Sequence, residues 1–190
     1  MKMKWKLALG AIFCTLVLSA CTSKELSIST RALTEDERIL VANSGGADME
    51  YFVINGNLPK GHQLGISVEV YEKGELISEN EPALFKEDLA DRNIGFGVRL
   101  GHGDHNDELI FGSPSGLLRM DLEPIGGASA QGSLIGEKVM LQPGDSVYLA
   151  DWIASEDGSI RGFASLDEEA LAEIKSYDRA ILLKAELREE

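Results

Sequence analysis

The sequence predicts an all-β fold, an antiparallel β-sandwich with one short C-terminal helix. Three observations carry that expectation. Apolar residues alternate with polar ones in several segments: Leu64, Ile66, Val68 and Val70; Ile94, Phe96, Val98 and Leu100; Leu118, Met120 and Leu122; Ile181, Leu183, Ala185 and Leu187. A period of two places such side chains on one face of a strand. Turn residues separate these segments, as at Asn55-Gly56-Asn57, Lys73-Gly74 and Gln142-Pro143-Gly144-Asp145. Only one good helix interrupts them, whereas a parallel α/β sheet needs a helix between most strands.

Taken in order, residues 22–38 are rich in Ser, Thr, Lys and Glu and read as a tether. It ends in a helical turn at Thr34-Glu35-Asp36-Glu37, which has capping-box spacing. Ile39–Asn43 reads as the first strand and Tyr51–Ile54 as the second. Residues 64–70 and 75–78 form a hairpin around Lys73-Gly74. Residues 79–92 read as acidic and irregular. Strands follow at 94–100, 109–111 and 118–122, then at 129–135, 138–141, 146–154 and 160–164. Ser165 and Glu168 mark the start of the helix, with Ala170, Leu171 and Ile174 on one face and its end near Ser176. The last strand is Ala180–Leu187.

The N terminus carries a different pattern. Lys2, Lys4 and Lys6 precede twelve uncharged residues, Leu7 to Leu18. That is the charge and length of a secretory signal peptide. A membrane-crossing helix needs about 20 apolar residues. The segment closes on Leu18-Ser19-Ala20-Cys21, which resembles the lipobox of bacterial lipoproteins. An ordinary signal peptide cut after small residues such as Ser19-Ala20 is the alternative. The resemblance covers residues 1–21 only. It implies a diacylglycerol thioether on Cys21 and cleavage just before it. The domains are then a signal peptide at 1–20, lipidated cysteine and tether at 21–38, and a β-sandwich at 39–190. Two acyl chains anchor stably where one does not. With Thr22 and not Asp after Cys21, the resemblance implies outer-membrane delivery if the host has two membranes.

The full chain has a net charge of −14, and losing the three signal lysines takes it to −17. Nucleic acid is therefore excluded as a partner, because binding it needs a basic surface. An electrostatic grip on anionic lipid is excluded too, so Cys21 carries the whole attachment to the membrane. The two cysteines are Cys14, in the removed segment, and Cys21. No thiol is left for a disulfide, a thiolate metal site or a cysteine nucleophile.

The sharpest polar cluster is Gly101-His102-Gly103-Asp104-His105-Asn106-Asp107-Glu108. Imidazole with carboxylate suits a divalent cation, which makes His102, Asp104, His105 and Glu108 candidate ligands. The loop lacks EF-hand spacing. A solvated turn of Gly, Asp, Asn and His accounts for it equally. His62 is a third ligand only where the fold brings it near. Gly112-Ser113-Pro114-Ser115-Gly116 has proline where a nucleophile elbow needs serine, and reads as a hairpin turn. Trp152 and Tyr148 lie on one side of an extended strand. Exposed, the pair suits stacking on a sugar ring. With Val147, Leu149 and Ile153 opposite, burial is expected.

The body resembles immunoglobulin-like and jelly-roll sandwiches of exported bacterial proteins in texture. The expected function is that of a lipid-anchored, extracytoplasmic, non-enzymatic protein. It acts in binding or envelope structure, through a protein or small-ligand partner that the sequence does not name, and without a cofactor. The alternative is a divalent-metal-binding protein or metal-dependent enzyme using residues 101–108. A carbohydrate-binding module is a third reading, which requires an exposed Trp152.

Overall fold

The computed structural model describes residues 25–43, 48–87, 89–101, 105–161, 163 and 166–190. Among the described residues eleven strands build two antiparallel sheets. They are β1 (Ser27–Thr30), β2 (Glu50–Gly56), β3 (His62–Glu72), β4 (Glu75–Phe85), β5 (Leu89–Arg99), β6 (Asp107–Ser113), β7 (Gly116–Leu122), β8 (Ala128–Ser133), β9 (Lys138–Met140), β10 (Ser146–Ser155) and β11 (Arg179–Glu189). Two helices accompany them, α1 (Glu35–Asn43) and α2 (Glu168–Lys175). One sheet runs β7-β6-β5-β2-β1-β9, the other β4-β3-β11-β10-β8. The fold is the expected all-β sandwich with a C-terminal helix.

Turn chemistry fixes several pairings. Lys73 and Gly74 both take positive φ, 51° and 93°, and join Glu72 to Glu75. Such a two-residue turn matches the twist of the strands it connects. Pro114-Ser115 closes the β6–β7 hairpin in the same two-residue length. The aliphatic faces read from the sequence meet in one core. Phe52, Ile66, Val68, Phe96, Leu109, Phe111, Trp152, Ile181 and Leu183 all belong to it.

Two contacts lock the sheets together. The amide of Gln131 on β8 reaches the six-stranded sheet. Its Oε1 accepts from the Val98 amide at 3.1 Å, and its Nε2 donates to the Asp48 carbonyl at 3.0 Å. At the other end the 141–145 connection joins both sheets: Leu141 donates to the Leu26 carbonyl at 3.0 Å, and Gly144 to the Leu187 carbonyl at 2.8 Å.

Several local expectations are corrected. The stretch read as a tether contains β1, which lies between β2 and β9. Leu26 and Ile28 are buried there. Gly56 takes a φ of 121°, and a Cβ on it would stand 2.3 Å from the Glu25 carbonyl oxygen, so β1 seats closely on β2. Residues 39–43 are helix, not strand. The Thr34 capping box forms as read: the Thr34 amide donates to Glu37 at 2.9 Å, and the Glu37 amide to Thr34 Oγ1 at 3.3 Å. Once nucleated, the turn propagates through Ile39-Leu40-Val41.

Residues 79–92 are largely strand. β4 is an edge strand, and its acids are drawn to cations of the sheet, as in Glu81 to Arg188 at 2.5 Å. Among the described residues of 160–164 there is no strand. The N-cap of α2 is Asp167, which accepts from the Ala170 amide at 2.8 Å, in place of the expected Ser165, which lies outside the described residues.

A β-bulge corrects the reading of β10. Tyr148 pairs with Lys184, but Ala150 pairs with Leu183, so Leu149 is an extra residue. Tyr148 and Trp152 therefore end on opposite faces, Trp152 in the main core and Tyr148 in the outer cluster. Trp152 is only 3 % exposed, which overturns the sugar-stacking reading and agrees with the expected burial.

Candidate functional site

The outer face of the five-stranded sheet is where polar chemistry is buried. Helix α2 lies across it. Ile174 packs with Tyr71, Ile153, Ala180 and Leu182 in a second apolar cluster, bordered by Leu134, Ile160 and Phe163. Residues on the non-core side of β3, β10 and β11 are thus covered and not bathed in solvent.

One consequence is a network centred on Glu69, which is 4 % exposed. Its carboxylate accepts from Tyr71 Oη at 2.8 Å, Tyr148 Oη at 2.9 Å and Lys184 Nζ at 3.0 Å. Lys175 of α2 donates to Tyr148 Oη at 3.1 Å and stands 4.6 Å from the Tyr71 ring centre. Burial pushes the Glu69 carboxyl up, but the three hydrogen bonds and the Lys184 charge outweigh it and hold it below the usual range. Burial and then Glu69 raise Tyr71 to about 12, and Tyr148 is raised further for the same reasons. Every polar group here is satisfied. The network joins β3, β10, β11 and α2, and its chemistry is structural.

Beside it lies a cavity of about 250 Å³ with a different character. Its walls include Leu134, Ile153, Ile160 and Phe163, with Asp151 as its carboxylate. Asp151 is 7 % exposed. Among the described residues no side chain bonds to it, and its nearest donors are its own amide and that of Gly132. Burial raises its pKa to about 6, and the charge of Glu50 adds to the rise. Arg161 lines the same cavity but lies 3.7 Å from Glu173.

Carboxylates of the neighbouring polar cleft are all engaged. Asp157 accepts from Ser155 and Ser159 at 2.7 Å each, and Asp178 accepts from the Glu156 amide at 2.8 Å. Asp151 differs in lining a largely apolar cavity: it is nearly buried, its nearest donors are backbone amides, and among the described residues no side chain bonds to it.

The residues singled out from the sequence fall elsewhere. Cys21, His102 and Asp104 lie outside the described residues. His105 is exposed in the β5–β6 connection. Glu108 sits on β6 between two cations, bonded to Arg99 and 3.6 Å from Arg119. Asp107 closes the loop by accepting from the Gly101 amide at 2.8 Å. His62 begins β3 beside Glu189, at the opposite end of the sandwich from that loop, so it does not join His105. Among the described residues no three His, Cys, Asp or Glu side chains gather closely enough to hold a metal ion.

No known protein family, curated relative or solved structure matches the chain. Among the described residues no helix is long and apolar enough to cross a membrane.

The sequence does carry a signal for Asp151. It is the only charge in Val147–Ile153, a run apolar on both faces. A lone acid in such a run is either buried without a partner or aimed at a ligand. Glu69 had no comparable signal, because alternation alone cannot tell a solvated face from one covered by a helix.

Proposed function

We propose that this chain is a lipid-anchored extracytoplasmic lipoprotein whose β-sandwich body acts in binding or envelope structure. The observation that carries the reading is Leu18-Ser19-Ala20-Cys21 closing a twelve-residue uncharged segment after three lysines. The start of the folded body gives it physical content. Leu26, the first buried residue described, is five positions after Cys21. Five residues span at most about 18 Å, so a lipid on Cys21 holds the sandwich close to the bilayer. The end formed by the start of β1, the end of β2 and the 141–145 connection then lies nearest the lipid. Helix α1 and the β5–β6 connection lie at the far end.

Detergent phase partition tests this reading. The wild-type protein is expected in the detergent phase after expression in a bacterium with lipoprotein processing, and Cys21→Ser in the aqueous phase. A Cys21→Ser protein that still partitions into detergent contradicts it. The metal-dependent alternative has no such support among the described residues, since Arg99 and Arg119 hold Glu108.

A further inference from the structure

We propose that the cavity at Asp151 is a binding site for a small organic cation, a primary ammonium group on a short apolar tail. The inference rests on the binding role proposed above and is independent of the lipid anchor. The site joins three properties. It is a cavity of about 250 Å³, just below the usual range for small-molecule sites, so its occupant is small. Its one negative charge, Asp151, is more than nine-tenths buried and meets no cationic side chain among the described residues. Leu134, Ile153, Ile160 and Phe163 give it an apolar wall, and Arg161, which also lines it, is paired with Glu173 at 3.7 Å.

The chemistry follows from what else is near. Gln131 lines the cavity, but its side chain is committed to Val98 and Asp48. Ser133 Oγ is committed to the Ile135 and Leu149 carbonyls at 3.0 and 3.4 Å. One free carboxylate is too few oxygens for calcium or magnesium, which take six or more ligands including water. Apolar walls also suit a hydrated ion poorly. An alkylammonium fits both halves: three donors for the carboxylate and a tail for the aliphatic wall. The sheet has already stripped Asp151 of most of its water, so an arriving cation gains the pairing at reduced desolvation cost. A buried acid without a cationic partner lowers stability, and binding sites are where such groups persist.

Isothermal calorimetry at pH 8 on the full chain in detergent tests the proposal, with n-butylammonium, n-butanol and n-butyrate as probes. Saturable heat is expected with n-butylammonium alone. Asp151→Asn, checked for folding by circular dichroism, is expected to weaken it at least tenfold. Absence of saturable binding to the wild-type protein overturns the proposal. So does equal binding of the alcohol or of butyrate, or unchanged affinity in Asp151→Asn. The probe comparison on the wild-type protein decides the matter without the variant. Detergent partition of the same sample reports on the anchor separately, so the two readings fail independently.

Discussion

Tyr148 donates a 2.9 Å hydrogen bond to Glu69, a residue 79 positions earlier in the chain. The contact spans β11, since Tyr148 is on β10 and Glu69 on β3, and Lys184 of the intervening strand donates to the same carboxylate. It ties the middle of the five-stranded sheet to the helix that covers it, because Lys175 of α2 reaches Tyr148 in turn.

Glu69→Gln leaves Lys184 without its counter-charge and turns one of the two acceptor oxygens shared by Tyr71, Tyr148 and Lys184 into an NH2 donor. Glu69→Gln is expected to cost about 3 kcal/mol at pH 7, the usual scale for breaking a buried ion pair. The folded carboxyl titrates below its ordinary value. Its contribution is therefore complete above the unfolded pKa and is lost as pH falls through the lower, folded one. Urea unfolding at pH 7 and pH 3 checks this. The gap between wild type and variant should narrow at pH 3; equal stability at pH 7 contradicts the assignment.

Asp151 has the opposite sign. Its pKa rises from 3.8 to about 6 on folding, so the native state holds a proton the unfolded chain has released. Stability is expected to fall as pH rises from about 4 to 6 and to stay lower above that. Asp151→Asn removes this loss. It is expected to be more stable than wild type at pH 8 by up to about 3 kcal/mol, and equal to it near pH 4. Thermal unfolding followed at both pH values is the measurement. A variant less stable at pH 8 shows that the carboxylate is held by bonds and not left uncompensated.

Residues 25–30 divide the tether reading from the observed strand. Ile28 is fully buried between β2 and β9. Ile28→Asp places an unpaired charge in the main core and is expected to destabilise the fold by more than about 3 kcal/mol. A change within experimental error in the chemical unfolding midpoint returns this stretch to a tether.

How much was legible in the sequence follows from which signals are local. β3, β5, β7 and β11 announce themselves because each has one face in the core, so period-two alternation survives in the sequence. β1 did not, because only Leu26 and Ile28 of a short polar stretch point inward. Ile39–Val41 looks like a strand by apolar composition, yet the turn capped by Thr34 does not end at Glu37 and carries the backbone on as helix to Asn43. The bulge at Leu149 was invisible for a related reason. An extra residue reverses every side chain beyond it, and that is set by the pairing with β11.

The candidate site was less legible still. The histidine loop was conspicuous by composition. The buried polar chemistry instead gathers on a sheet face that only the docking of α2 converts from surface to interior. Asp151 is the one member with a local signal, a single charge in an apolar run, and the reading of that strand for Trp152 and Tyr148 passed over it.

The central claim concerns the first residue of the mature chain. Intact-mass spectrometry of the protein purified from bacterial membranes tests it directly. The account predicts loss of residues 1–20 and an added diacylglycerol mass on Cys21, removed by Cys21→Ser. A mature chain cleaved elsewhere, or one carrying Cys21 as a free thiol, contradicts it.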